Sequence, residues 1–169
     1  MTDYRTLAFS ERTVTSYGKV LGKNYYGKIY ASENLIRVVI HSVLCVQVDS
    51  NWWARVVDGD IRKEAERIRN DYLSKSPPRI PGSHDIYCTY LSGIERILFK
   101  NRGFFEPLIP EIDDIIIGLN RVRLPRNLTG HMNILNSNDR KAITDFYQLC
   151  RMVIARLQRR PHFKLHYPS

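Results

Sequence analysis

The residues best suited to chemistry lie in one short segment, Arg126-Asn127-Leu128-Thr129-Gly130-His131. A histidine, whose unperturbed pKa is near neutrality, can take the proton of a ribose 2′-hydroxyl or give one to a departing 5′-oxygen. An arginine can hold the phosphate with its forked N–H groups while negative charge grows there in the transition state. Because the nucleophile belongs to the substrate, RNA cleavage by such a pair needs no metal ion. Arg126 and His131, with Asn127 beside the arginine, are therefore the candidate catalytic residues.

The spacing of this pair does not by itself define a site, because Arg79 and His84 repeat it inside a proline-rich stretch. On a helix, five positions correspond to a rotation of about 140°, so a long arginine or a break at Pro125 must bring both groups to one cleft. We interpret the Arg79 match as a coincidence, since that arginine lies among prolines, whereas Arg126 lies at a predicted helix start. The alternative for His131 is a helix-end or core-edge histidine bonded to a carbonyl.

The positive charge of the chain is concentrated in its last third. Residues 120–169 hold ten Lys/Arg against two Asp/Glu, a net charge of +8 out of the +9 of the whole chain. Such a concentration attracts polyanions and raises their encounter rate, which favours nucleic acid or an anionic partner surface as the ligand. A merely solvated basic face is the alternative. If RNA binds, Arg121, Arg123 and Arg140 are the candidates for holding the strand.

Other signatures of reactive centres are missing from the sequence. The five histidines have no acidic or cysteine partners at metal-ligand spacing, and we expect neither a metal ion nor another cofactor. There is no glycine-rich phosphate loop and no Gly-x-Ser-x-Gly elbow, which argues against the usual classes of NTPase and serine hydrolase. Cys45, Cys88 and Cys150 lie far apart in apolar stretches, so we predict them to be reduced core thiols.

The elements that must position the segment are predicted to be helices. The length of 169 residues, of which 43% are hydrophobic, favours one domain over 1–169, with a core of about 25–158, an N-terminal extension 1–24 and a basic tail 159–169. The periodicity predicts helices over 32–47, 60–74 and 86–100, a fourth from Pro110 that Pro125 interrupts or kinks, and a last one capped by Ser137 or Asn138.

Two apolar stretches leave alternatives open. The region 32–47 is rich in β-branched residues and also suits a strand, although its length favours a central buried helix. Trp52 and Trp53 follow it, and they either anchor the end of that helix in the core or stack on RNA bases. We favour the core. Glu33 and Arg37, four positions apart, are predicted to form an intrahelical ion pair or a contact inside the bundle, with a structural role.

The sequence also bears on where the protein works. Its start, Met1-Thr2-Asp3-Tyr4-Arg5, lacks the basic and then apolar pattern of a secretory leader. No window reaches the roughly 18 apolar residues that a membrane span requires. We therefore expect a soluble, cytoplasmic protein that does not bind membranes.

The segment Arg126-Asn127-x-x-x-His131 resembles the signature of the HEPN superfamily, a group of small helical-bundle domains. The order of the other patterns resembles HEPN domains of abortive-infection and toxin-type proteins across roughly residues 25–158. These patterns are Ser32-Glu33-x-Leu35-Ile36-Arg37, Asn51-Trp52-Trp53, Ile61-Arg62-Lys63-Glu64-Ala65 and the apolar stretch from Leu91 to Phe99. Only the six-residue motif is specific. Pro125 and Gly130, which precede the arginine and the histidine, depart from the pattern of a smooth helix.

The resemblance implies an all-α fold, a four- to five-helix bundle of HEPN type. It also implies a homodimer in which two copies of the motif share a cleft, and an endoribonuclease that leaves a 2′,3′-cyclic phosphate. Arg126 and His131 would be the catalytic pair, and Asn127 would orient them. The expected setting is a toxin-antitoxin or antiviral defence system, with RNA as substrate and an antitoxin or another defence protein as partner.

Two rival functions use the same basic face. One is a non-catalytic HEPN-like adaptor that binds RNA, a nucleotide or a protein. The other is a DNA-binding regulator, which the charge permits, although no helix-turn-helix pattern supports it.

Overall fold

The computed structural model describes residues 11–75, 82–131 and 133–166, and every regular element in these ranges is a helix. In chain order the elements are α1 (Glu11–Val20), a π-helical segment (Leu21–Tyr26), α2 (Gly27–Gln47), α3 (Trp52–Val56), α4 (Gly59–Ser74), a 3₁₀ helix (Asp85–Cys88), α5 (Leu91–Lys100), α6 (Arg102–Phe105), α7 (Ile112–Gly130) and α8 (Ser137–Gln158). The prediction of an all-α helical bundle is confirmed. Of the predicted proline-rich loop, residues 76–81 lie outside the described ranges.

The central helix is α2, which is buried along most of its second half. Ile36, Val39, Ile40, Val43 and Leu44 are all in the core. The β-branched residues have not produced a strand, because a helix satisfies its own backbone hydrogen bonds while it is buried on several sides. Helix α8 packs against both α2 and α7, and the helices that carry the candidate site residues are therefore neighbours.

The helix ends differ in detail from the predicted ones. Helix α8 is capped by Asn136, whose side chain accepts from the Asp139 N–H while the Asp139 carboxylate accepts from the Asn136 N–H. This reciprocal capping box stabilises the first turn better than Ser137 or Asn138 would at the same place. The predicted helix over 86–100 is divided by an extended stretch at Thr89 and Tyr90 into the 3₁₀ helix and α5.

Pro125 lies inside α7, which continues through it to Gly130, so of the two predicted effects, an interruption or a kink, the interruption is wrong. A proline removes one backbone hydrogen bond from a helix, and its ring crowds the preceding turn. Here the ring is buried together with Val122 and Thr129 on the face that packs into the bundle. In addition, the Thr129 hydroxyl donates to the Pro125 carbonyl oxygen at 2.9 Å. The hydroxyl bond does not replace the bond lost to the Arg121 carbonyl, so we infer that the packing of the buried ring offsets that loss.

The first described residues extend α2 towards the N-terminus, since α1 and the π-helical segment run directly into it. The resulting run Thr15–Gln47, 33 residues long, contains a window with a mean hydropathy of 1.4 and is long and apolar enough to cross a membrane by length and composition. The sequence expectation considered only uninterrupted apolar residues and missed this window. Half of the window is buried inside the fold, and the core helix of a soluble protein passes the same test.

The chain after α8 packs back onto the bundle. Phe163 joins the core, and the Ser42 hydroxyl of α2 both donates to the His166 carbonyl at 3.1 Å and accepts from its N–H at 2.8 Å. Near α3, Trp52 is fully buried and Trp53 packs against the core, which confirms their predicted structural role.

Candidate functional site

The motif lies on the last turns of α7, with His131 as the residue that ends the helix. We predicted it at a helix opening, and that position is wrong, because α7 neither breaks nor restarts at Pro125. The backbone N–H of His131 donates to the Asn127 carbonyl at 3.0 Å and closes the final turn. Arg126, Asn127 and His131 are exposed, so none of the three is sealed inside the bundle.

The guanidinium of Arg126 is held by an acidic side chain from another helix. Its Nε donates to Glu33 Oε1 of α2 at 2.9 Å, and its NH1 lies 3.5 Å from Asn127 Oδ1. The Arg126 side chain is 44% exposed, whereas the Glu33 side chain is only 14% exposed. The contact with α2 therefore fixes the arginine through Nε, while the rest of the guanidinium remains near solvent.

Glu33 is itself fixed by a buried arginine. Arg37 NH1 lies 3.5 Å from Glu33 Oε2, and the Arg37 side chain is 8% exposed. Arg37 also donates through Nε to the Ile86 carbonyl and through NH2 to the Thr89 carbonyl, both at 3.2 Å. Burial lowers the pKa of Arg37, and the Glu33 carboxylate opposes that shift. We call Arg37, Glu33 and Arg126 the Arg-Glu-Arg cluster. It connects the backbone carbonyls of Ile86 and Thr89 to the exposed guanidinium of Arg126.

The space beside Glu33 and Arg126 is too small for a ligand. A recess of about 10 Å³ lies between Glu33, Arg126 and apolar side chains that include Leu91, Val122 and Phe146. A cavity of that size barely accommodates one water molecule. A ligand of Arg126 must therefore approach from the solvent side.

The ring of His131 is available for chemistry at the surface. Among the described residues, no hydrogen bond joins its imidazole to another group, and only its backbone is engaged, with the Asn133 side chain donating to the His131 carbonyl at 3.3 Å. The alternative of a histidine bonded to a carbonyl finds no partner in the described ranges.

Arg126 and His131 leave α7 in different directions. Five positions along a helix separate side chains by about 140° of rotation and about 7.5 Å of rise. Pro125 and Thr129, beside Arg126 in this rotation, are buried, and Arg126 turns towards Glu33 at the edge of that buried face. His131 follows the helix on its exposed side. A single chain therefore presents the two groups around the end of α7 and not on one stripe.

Of the three arginines predicted to hold RNA, two lie on α7 and one lies at the start of α8. Arg121 and Arg123 are exposed on α7, the helix of the motif. Arg140 lies at the start of α8, where its Nε donates to the Leu135 carbonyl at 3.0 Å and its guanidinium lies 5.9 Å from the centre of the Tyr25 ring. Arg140 therefore makes contacts within the fold that limit its availability to a ligand.

Sequence reasoning found the ion pair of Glu33 with Arg37, and the structure confirms it. It missed the contact of Glu33 with Arg126, which joins residues 93 positions apart. No pattern within one sequence marks such a contact, because the helix packing alone decides which carboxylate reaches the arginine.

A second cluster of titratable groups surrounds Trp52. The His84 ring stacks on Trp52 at 5.3 Å, and Trp52 Nε1 donates to His41 Nδ1 at 3.3 Å. Burial, followed by the nearby His84 and His166, lowers the pKa of His41 to about 4. His84 therefore has a packing role, in agreement with the interpretation of its spacing to Arg79 as a coincidence, although Arg79 lies outside the described residues.

Within the described ranges, no three His, Cys, Asp or Glu side chains are grouped so that they could hold a metal ion. Cys88 and Cys150 are buried and Cys45 is partly buried, all as free thiols. Comparison with known proteins finds no match to this chain, whether among protein families, curated proteins or solved structures.

Proposed function

We propose that this chain is a helical-bundle domain of HEPN type and acts as a metal-independent endoribonuclease. The observation that carries the proposal is the solvent-facing Arg126 guanidinium, which Glu33 holds through Nε at 2.9 Å. An arginine held in this way keeps its terminal N–H groups in a defined direction, and such a fork suits a phosphate. The exposed imidazole of His131 on the same helix end adds a group that can accept or donate a proton.

In this proposal the ribose 2′-oxygen attacks the neighbouring phosphorus while His131 takes the 2′-hydroxyl proton. The bond from phosphorus to the 5′-oxygen breaks, and the imidazolium returns a proton to that oxygen. The products are a 2′,3′-cyclic phosphate and a 5′-hydroxyl. Arg126 stabilises the negative charge on the phosphate oxygens, and Asn127, whose side-chain oxygen faces Arg126 NH1, helps to orient the guanidinium.

The assembly and the cellular setting belong to the same proposal. We propose a homodimer in which the ends of α7 from two copies meet, since one copy presents Arg126 and His131 in different directions. From the resemblance to HEPN domains we further propose a cytoplasmic toxin or defence effector with an antitoxin or another defence protein as partner.

The test is cleavage of end-labelled RNA by the purified full chain in excess chelator. We expect cleavage by the unaltered protein and loss of at least a hundredfold in rate for Arg126→Ala and for His131→Ala. Matched controls are Arg55→Ala and His166→Ala, which remove an exposed arginine and an exposed histidine elsewhere. Cleavage that requires added metal, or variants that cut as fast as the controls, would contradict the proposal.

A binding module without catalysis is the second candidate. It is favoured by the Glu33 carboxylate, which compensates part of the Arg126 charge that a phosphate would otherwise receive. Salt-sensitive RNA binding that survives in the complete absence of cleavage would support this candidate over the nuclease.

A further inference from the structure

A second surface feature, separate from the Arg-Glu-Arg cluster, is a groove between α2 and α8 with a volume of about 900 Å³. Its lining combines five aliphatic side chains of α2 and α8 with Tyr30, Asn34, Tyr87, Tyr147, Arg151 and Gln158. No aspartate or glutamate is among the lining residues in the described part of the chain. The groove therefore offers aromatic faces and a positive charge without opposing acids. We call it the tyrosine groove.

The rings of the tyrosine groove are accessible to a ligand. Tyr30 is 65% exposed, whereas Tyr87 and Tyr147 are partly buried. The Arg151 guanidinium lies 5.7 Å from the centre of the Tyr147 ring, a distance typical of a cation–π contact. The Asn34 side chain donates to the Tyr30 carbonyl at 2.8 Å, which fixes this amide beside the exposed ring.

The tyrosine groove and the Arg-Glu-Arg cluster share helix α2. Tyr30 precedes Glu33 by three positions, and side chains at this spacing are neighbours on a helix surface. Tyr26, one turn earlier, is also exposed. Exposed aromatic rings therefore lie beside Glu33 and before it on the same helical run.

We propose that the tyrosine groove binds single-stranded RNA, with a base stacked on Tyr30 and the backbone near Arg151. The choice of RNA rests on the proposed function, but binding can be measured without cleavage. Every base has a flat face that stacks on an aromatic ring, and an arginine attracts the phosphates. Duplex RNA keeps its bases stacked on each other and cannot offer them to Tyr30, so the groove selects single strands.

The experiment measures binding of a fluorescein-labelled uridine dodecamer by anisotropy. The full chain carries His131→Ala so that cleavage does not consume the probe. We expect an added Tyr30→Ala to raise Kd about five- to thirtyfold, because one stacking contact is lost. Tyr30→Phe keeps the ring and should bind like the His131→Ala parent. Tyr72→Ala, which removes an exposed tyrosine from α4, is the matched control.

A Kd for Tyr30→Ala equal to that of the Tyr72→Ala control would overturn the proposal. Equal competition by a duplex of the same length would overturn it as well. If Tyr30→Ala changes the sedimentation coefficient and leaves RNA affinity unchanged, the groove is a contact between two copies of the chain and the proposal is wrong. Binding that depends on Tyr30 in a protein that cuts no RNA supports the groove and refutes the nuclease, so the two failures are distinguishable.

Discussion

At the scale of single residues, Glu33 determines how Arg126 is presented. Its two carboxylate oxygens contact two arginines, one buried and one exposed. Because two arginines share one carboxylate, the Arg-Glu-Arg cluster has a net charge of +1, which favours an anionic ligand. In addition, the fixed Nε contact reduces the side-chain entropy that Arg126 would lose when it binds a phosphate.

We predict that Glu33→Gln reduces kcat for RNA cleavage roughly ten- to a hundredfold with a smaller change in KM, because Arg126 loses its orientation in the transition state. The same variant should lower the free energy of unfolding by about 1–3 kcal/mol, since the buried Arg37 loses its counter-charge. Single-turnover kinetics well below the melting temperature and urea unfolding measure the two effects separately.

Glu66→Gln, on the exposed side of α4, is the control for this substitution. A Glu33→Gln protein that cleaves at the wild-type rate would show that Arg126 does not depend on Glu33. A lowered kcat with unchanged stability would instead show that Glu33 orients Arg126 without stabilising the fold through Arg37.

His41 makes the second residue-scale prediction, which concerns pH. Its Nδ1 accepts the Trp52 N–H, so protonation of that nitrogen would place two donors against each other. The folded pKa of about 4 lies below the unfolded value near 6.5, and the unfolded chain binds the proton more strongly. The stabilisation is therefore fully present above pH 6.5 and decreases as the pH falls towards 4.

We expect the free energy of unfolding to fall by about 1 kcal/mol between pH 7 and pH 5, a value reduced because the ring is only partly buried. His41→Gln keeps an acceptor for Trp52 without a titrating ring, and it should flatten this pH dependence. Urea titrations at the two pH values test it. An equal slope in both proteins would mean that other groups, such as His84, cause the acid sensitivity.

At the scale of elements, the close packing of α7 on α8 depends on Gly118. A Cβ at this position would lie 2.5 Å from Cδ2 of Phe146, a buried ring on α8. We predict that Gly118→Ala lowers the free energy of unfolding by about 1–3 kcal/mol, because the ring or the helix must move. Thermal and urea unfolding measure the change.

The matched control is Gly27→Ala at the start of α2, where nothing lies within 4 Å of the added Cβ. Its backbone is helical, so alanine should stabilise the protein by up to about 1 kcal/mol. If both alanines stabilise the protein equally, Phe146 can move aside and the contact between α7 and α8 is not tight.

Much of the helix layout was predictable because it follows from local pattern. Ile143, Phe146, Cys150, Val153 and Leu157 share one face by their spacing alone, and all are buried. The behaviour of Pro125 was not predictable, since its cost is local whereas its compensation comes from packing against other helices. The capping of α8 by Asn136 was accessible in principle, because Asn136 and Asp139 have the capping-box spacing.

At the scale of the whole molecule, the proposed dimer gives a test that does not depend on any single variant. If each cleft combines Arg126 of one copy with His131 of the other, a mixture of Arg126→Ala and His131→Ala chains restores one intact cleft in each mixed dimer. With equal amounts and random pairing, about a quarter of the wild-type activity should return. The measurement is the cleavage rate of the mixture after the chains have exchanged.

Activity of the mixture no greater than the sum of its parts would show that each chain provides a complete site or that the chain acts as a monomer. Sedimentation of the same mixture distinguishes these two outcomes. Residue types and charge identified Arg126 and His131 as candidates from the sequence, and helix spacing gave the rotation of about 140° between them. The structure was needed to show that α7 continues through Pro125 and so keeps the two residues at that rotation.

The packing of α8 onto α2 has a consequence for the growing chain. Helix α2 ends at Gln47, whereas α8, which packs on it, begins at Ser137. The hydrogen-bond partner of Ser42, His166, lies 124 positions later in the chain. During synthesis, the apolar side of α2 therefore leaves the ribosome long before anything can cover it. Until the bundle closes, this apolar side is open to aggregation, and the contact of Glu33 with Arg126, which lies 93 positions later, cannot form.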